Sequence, residues 1–330
     1  MGTVRTALRA LGLGVLSLAL VTGVAACGSG AAGDADEGDV VSVAHKFGTS
    51  EVPVQPERVV TLSAQWLDAV LAFDIQPVAF ARDALAGDDG LYDWQVEHLD
   101  GATPLTATEA TGLPLEQIAA LEPDLILADY SASEQSVYDQ LNAIAPTLGL
   151  LGDEQVDRWE SQVGVIGEIF GRFDDAEAII ERVRSAVADT AAELPGLEGK
   201  TAVLSQFMFD GNQIVAVADP DDGAAALFYD LGMSWPEHVV TEAAGAGRVF
   251  VSAERVDILR SDLLIMWPNG GEPDDLLRLP GFAELPAVQS GAFAAVDVET
   301  VVALNTPSAL SIEWVLDSLR PELECAAGNC

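Results

Sequence analysis

Six short apolar runs are each followed by side chains that could grip a ligand. Gln65 and Trp66 come after the run at 59–62, Arg82 after 78–80 and Tyr130 after 125–128. Phe207 and Phe209 follow 202–204, Trp267 follows 263–266, and Asn305 follows 301–304. Such runs read as buried strands, and in open α/β sheets ligands collect beyond the carboxyl ends of the strands. The set is aromatic, with Arg82 as its one clear cation. Aromatic faces stack on large, partly apolar molecules, and Arg donates hydrogen bonds to oxygen. The chemistry is therefore that of holding a bulky ligand, and it suits a polyanion poorly. Core packing competes for every aromatic, and Trp66 and Trp235 are the two most readily placed in a core.

The parts needed to make or break bonds are missing from the sequence. There is no Gly-x-Ser-x-Gly elbow, no phosphate-cradling Gly-rich loop with Lys and no His-Glu-x-x-His pair. The acidic pairs Asp88-Asp89, Asp221-Asp222 and Asp274-Asp275 lie beside Gly or Pro and read as turns. His45, His98 and His238 are far apart, which disfavours capture of a bare metal ion. A secreted hydrolase on a similar fold stays the rival from another class.

The elements that must position these residues alternate between strand and helix. Apolar runs and amphipathic stretches take turns from residue 59 to about 150 and again after residue 200, which predicts two α/β lobes. Between them lies the most helical part of the chain, 156–170 and then 174–194. The second stretch carries Ala176, Ile179, Ile180, Val183 and Val187 at helical spacing before Pro195-Gly196 ends it. A helix of about 20 residues reaches about 30 Å, enough for a rigid spine between lobes. The expected organisation is a leader at 1–26, a tether at 27–41, lobes at 42–153 and 196–330, and a helical connector at 154–195.

Residues 1–26 carry Arg5 and Arg9, an apolar run and a Val24-Ala25-Ala26 ending before Cys27, the layout of an export leader. The Val-Ala-Ala-Cys ending is similar to a lipobox, in which the Cys27 thiol is diacylated and anchors the mature chain to a membrane. The next residues are small and acidic and predict a flexible tether. Cys325 and Cys330 read as a local disulfide pinning the C-terminus of an exported chain. The formal charge is −38, with 53 acidic against 15 basic residues, so nucleic acid is excluded as a partner by like-charge repulsion.

Four stretches, in this order, resemble the iron-siderophore and cobalamin class of periplasmic binding proteins. They are His45-Lys46-Phe47-Gly48-Thr49 leading to Pro56-Glu57-Arg58-Val59-Val60-Thr61-Leu62; Leu113-Pro114-Leu115-Glu116-Gln117-Ile118-Ala119-Ala120-Leu121-Glu122-Pro123-Asp124-Leu125-Ile126-Leu127; Phe250-Val251-Ser252-Ala253-Glu254-Arg255-Val256-Asp257; and Leu285-Pro286-Ala287-Val288-Gln289-Ser290-Gly291. The resemblance implies a family domain over about 58–325: two Rossmann-like α/β lobes joined by one long rigid helix, with a shallow ligand cleft between them. It also implies that Glu116 and Glu254 dock on an ABC permease driven by its ATPase.

Within that resemblance the expected ligand is a ferric siderophore of hydroxamate or mixed type, with Arg82 facing its oxygens. No cofactor of the protein's own is called for. Trp66, Arg82, Tyr130, Phe207, Phe209, Trp267 and Asn305 are the expected contacts. Cobalamin and heme remain alternatives on the same fold. The protein is expected to act as a monomer, lipid-anchored on the outer face of the cell membrane.

Overall fold

The computed structural model describes residues 39–106, 112–152, 156–219 and 223–330. The leader, Cys27 and most of the tether lie outside them. The described chain opens with an antiparallel hairpin, β1 (Val40–His45) and β2 (Gly48–Pro53). Gly48 holds φ +127°, a conformation that L side chains rarely adopt, at the hairpin turn.

A first sheet of five parallel strands follows: β3 (Val59–Thr61), β4 (Ala79–Ala81), β5 (Thr103–Leu105), β6 (Leu125–Leu127) and β7 (Thr147–Leu148), in the order β5-β4-β3-β6-β7. Its central strands β3 and β6 are buried at every residue, as expected where helices cover both faces of a parallel sheet. The strands are only two or three residues long, so the chain reaches its loops quickly.

Two of the family-like stretches turn out to be bolted together. The Asp124 carboxylate accepts from the backbone N–H groups of Glu57 and Arg58 at 2.7 and 2.9 Å. The Arg58 guanidinium in turn donates to the carbonyls of Leu121 and Glu122. The helix Leu115–Ala120 stops at Leu121, and Glu122 adopts φ +47° before Pro123, as a chain that cannot continue its helix must.

The connector comprises the helices Trp159–Ile169 and Phe173–Glu193. The second has 21 residues and buries Ala176, Ile179, Val183 and Val187 of the stripe read from the sequence, with Ile180 half-buried. Gly167 lets the two helices meet, because a Cβ there would lie 2.6 Å from that of Ala176.

The second sheet contains β8 (Ala202–Met208), β9 (Gln213–Val217), β10 (Arg248–Ser252), β11 (Leu263–Asn269) and β12 (Phe293–Ala295), in the order β10-β9-β8-β11-β12. It is mixed: β8, β11 and β12 are parallel, while β9 runs against both neighbours. Residues 301–304, expected as a strand, belong instead to the helix Val298–Asn305. Asp297 dictates this by capping the helix, its carboxylate accepting from the Thr300 N–H at 2.9 Å. β8 and β11 also outrun their apolar runs, so Phe207 and Trp267 are strand residues and not loop residues. The chain ends in a helix, Arg320–Ala326, and a disulfide between Cys325 and Cys330 with Cα atoms 4.8 Å apart.

Candidate ligand-binding site

The first sheet delivers three loops to one place. The Ser63 hydroxyl caps the helix Ala64–Leu71 and holds Gln65 beside the end of β3. Asp83 and Leu85 follow β4, and Tyr130 follows β6. Opposite them stand Trp267 on β11 and the helix Val298–Asn305. Together these residues line a cleft of about 260 Å³. That is slightly below the usual range of small-molecule sites, about 300 to 1,000 Å³, so a bulky ligand would sit partly outside it.

Of the contacts expected from the sequence, the cleft gathers Tyr130, Trp267 and Asn305, together with Gln65. Tyr130 is 49 % exposed and forms the rim with Leu85. Trp66 and Phe207 are not there. Trp66 has no exposed surface and Phe207 is 1 % exposed, so both rings are spent on the core. Phe209 packs edge-on against Phe207 at 4.7 Å and covers Gly271, away from the cleft lining.

Arg82 is turned away as well. Its guanidinium donates to the carbonyls of Asp88 and Asp89, and its stem lies over Gly90, where a Cβ would come within 2.5 Å of it. The loop after β4 thus folds back on its own cation and presents the next residue, Asp83, to the cleft. Arg248 is a guanidinium that the sequence reading missed. It opens β10 rather than following a strand, and it donates to the Asn305 side chain at 3.3 Å.

Acidic groups surround the N-terminal wall. Asp129, 1 % exposed, is pushed up to about 7, chiefly by burial. One of its oxygens has no hydrogen-bond partner. Burial, then the carboxylates of Asp129 and Asp83, raise the Tyr130 phenol. Burial, then repulsion from Asp93, raise Glu299 on the helix Val298–Asn305. The Tyr92 hydroxyl is buried with no hydrogen-bond partner at contact distance, and burial and the facing Asp83 raise it too.

Behind the cleft the two halves are joined by a buried polar seam. Gln65 donates to the Pro307 carbonyl at 2.8 Å. One helical turn further, Asp68 accepts from Trp94 Nε1 at 2.9 Å, from Gln95 Nε2 at 2.5 Å and from the Ser308 hydroxyl. Burial raises the Asp68 carboxyl to about 6, although these donors oppose the shift. The Trp94 ring packs against Trp314 at 5.1 Å, completing the seam.

Glu116 and Glu254 are both exposed, in the first turns of the helix Leu115–Ala120 and of the 3-10 segment Ala253–Leu259. No described helix is long and apolar enough to cross a membrane.

Two α/β sheets, one long connecting helix and a shallow cleft at the strand ends define a solute-binding protein. Residues 59–300 match the periplasmic binding protein family, and the chain belongs to it; it binds a solute and is not an enzyme. Among curated relatives, it is 28% identical over 201 residues to the probable siderophore-binding lipoprotein YfiY of Bacillus subtilis, covering 60% of this chain and 58% of that one. It is 28% identical to the Fe(3+)-citrate-binding protein YfmC of Bacillus subtilis, over 77% of each chain. A solved periplasmic solute-binding protein from Mycobacterium smegmatis is 27% identical with a TM-score of 0.75, covering 88% of this chain and 99% of that one. The match with YfiY spans less than two thirds of that relative.

Proposed function

We propose that the protein captures a ferric siderophore of hydroxamate or mixed type outside the cell and passes it to an ABC permease and its ATPase. Cys27 would carry the lipid anchor on the outer face of the membrane, the chain would act as a monomer, and Glu116 and Glu254 would dock one lobe each on the permease. The observation that carries the ligand class is the cleft itself: Tyr130 and Trp267 offer aromatic faces, with the side chains of Gln65 and Asn305 beside them in the lining. The names of the relatives support iron chelates as a group and divide over which one. The lining supports the hydroxamate reading, because a citrate chelate is a polyanion and Asp83 lines the cleft.

The test is tryptophan fluorescence of the chain beginning at Cys27, titrated with a ferric hydroxamate, the same siderophore without iron, a ferric catecholate, cobalamin and hemin. Saturable quenching at micromolar concentration or below by the ferric hydroxamate, and by it alone, is expected. Quenching by hemin or cobalamin instead would move the assignment to that ligand, and silence from all five would overturn the siderophore assignment.

A further inference from the structure

Part of the cleft wall is a loop that ties itself shut. Residues 82–91 leave β4 and return to the core at Tyr92, and Asp83 and Leu85 of this loop line the cleft. Both stems are fixed. The Arg82 N–H donates to the Leu105 carbonyl at 2.8 Å, and the Tyr92 ring, with no exposed surface, stacks on Trp94 at 4.6 Å. The tip between them is mostly exposed, and Leu85 keeps 52 % of its surface in water. An apolar side chain on an exposed loop has little packing of its own to hold it in place. What holds this one is the neck of the loop. The Asp83 N–H donates to the Gly90 carbonyl at 3.2 Å, and the Arg82 guanidinium donates to the carbonyls of Asp88 and Asp89. The Arg82 stem can cross the neck only because residue 90 is Gly. Its φ is +79°, and a Cβ there would lie 2.5 Å from the Cβ and 2.8 Å from the Nε of Arg82. The Asp83 carboxylate passes the constraint to the tip by accepting from the Leu85 N–H at 2.9 Å.

We infer that Arg82 is a positioning residue for the cleft: clipped across Gly90, it closes the loop 82–91 and holds Leu85 at the rim, where the protruding part of a bulky chelate rests. Arg82 acts on the ligand through Leu85 and touches no part of it. This inference rests on the proposed siderophore function and names what shapes one wall of that site. Its physical content is preorganisation. A loop already closed in the binding shape is not ordered at the ligand's expense, so the clip contributes affinity without a contact.

The test is titration of variants of the chain beginning at Cys27 with a ferric hydroxamate, with urea unfolding of each variant alongside. Gly90→Ala wedges the clip apart, and Arg82→Met keeps the stem but removes its donors. Each should weaken binding about tenfold, because affinity falls with the fraction of molecules whose loop is in the binding shape. Arg82→Gln should recover most of that loss, since its Nε2 stands where the arginine Nε stands and can donate to the Asp89 carbonyl without a charge. In a Leu85→Ala background, Gly90→Ala should cost less than about twofold, because the residue through which it acts is gone. Urea midpoints should stay together across the set. Loss of affinity in step with loss of stability would overturn the inference. So would additive effects of Gly90→Ala and Leu85→Ala. Arg82→Gln binding as weakly as Arg82→Met would make the guanidinium a direct ligand contact and overturn it too. All three outcomes leave the siderophore function standing. Failure of the unsubstituted chain to bind any ferric hydroxamate would remove that function and this inference with it.

Discussion

The buried aspartates of the N-terminal half and the cation-paired Asp257 and Asp262 of the C-terminal half are pushed in opposite directions. In the N-terminal half, burial raises Asp68 to about 6 and Asp129 to about 7, and it raises Asp157 as well. In the C-terminal half, Asp257 is held low by the Arg255 side chain. Burial alone would raise Asp262, but hydrogen bonds from Thr201 and Lys200 outweigh it and hold the carboxyl low. The difference follows from architecture. The first sheet ends after two or three residues per strand and turns its polar tips inward toward cleft and seam. The second has strands of up to seven residues, and its Asp257 and Asp262 sit beside Arg255 and Lys200 nearer the solvent. Both halves still meet at the cleft, the first through Gln65, Asp83 and Tyr130 and the second through Trp267 and Asn305.

The sharpest way to break this contrast is Asp68→Ala. The substitution strands the Trp94 N–H, the Gln95 amide and the Ser308 hydroxyl in a buried place, at about 1 to 3 kcal/mol for each group that fails to find water. A loss of at least about 3 kcal/mol in urea unfolding is expected, whereas Asp257→Ala, exposed in the other half, should change stability by less than about 1 kcal/mol. Next in size is the C-terminal staple. Cys325→Ser with Cys330→Ser opens a loop of only a few residues, and chain entropy limits the loss to about 2 kcal/mol, read as a lower thermal midpoint. Tyr130→Ala, tested on the proposed ligand, should weaken binding about tenfold with little change in stability, because half of its surface is already in water.

A smaller effect is expected from pH. Asp68 and Asp129 have folded-state values above the unfolded carboxylate value of about 3.9, so between about pH 4 and 7 the folded chain holds protons that the unfolded chain has released. Their contribution to stability is full below pH 4 and is lost as pH rises through about 6 and 7. Acidification from pH 7.5 to 5.5 should therefore stabilise the protein by about 1 kcal/mol or more, and Asp129→Asn should flatten the slope. His45 opposes the trend, because burial lowers it and its contribution fades as pH falls below about 6.5. Glu254→Ala should have the smallest effect of all on the isolated protein, leaving ligand affinity unchanged while reducing uptake in cells; reduced affinity would take the residue out of its docking role.

The same contrast explains which site residues were legible in the sequence. Gln65 and Tyr130 were found because the first sheet's strands stop where their apolar runs stop, so the next side chain is at the strand end. In the second sheet the logic slipped. Phe207 and Trp267 continue their strands, and of the two only Trp267 reaches the cleft. Asn305 arrived there by another route, as the last residue of a helix that the apolar run at 301–304 disguised. The direction of Arg82 is set by Gly90, eight positions away, and no local pattern announces it. Asp83 carried no signal among 53 acidic residues. The fold was more legible, since the spine helix and both alternating lobes rest on periodicity, which survives small errors of boundary.

The bond between Asp68 and Ser308 bears on timing. It lies one helical turn behind Gln65, on the closed side of the cleft, so spreading the walls would first tear a desolvated charged hydrogen bond. The frame is therefore braced against opening, and a solute is expected to enter and leave over a standing rim. The dwell time of a solute is then expected to depend on the rim residues Tyr130 and Leu85 rather than on hinge motion.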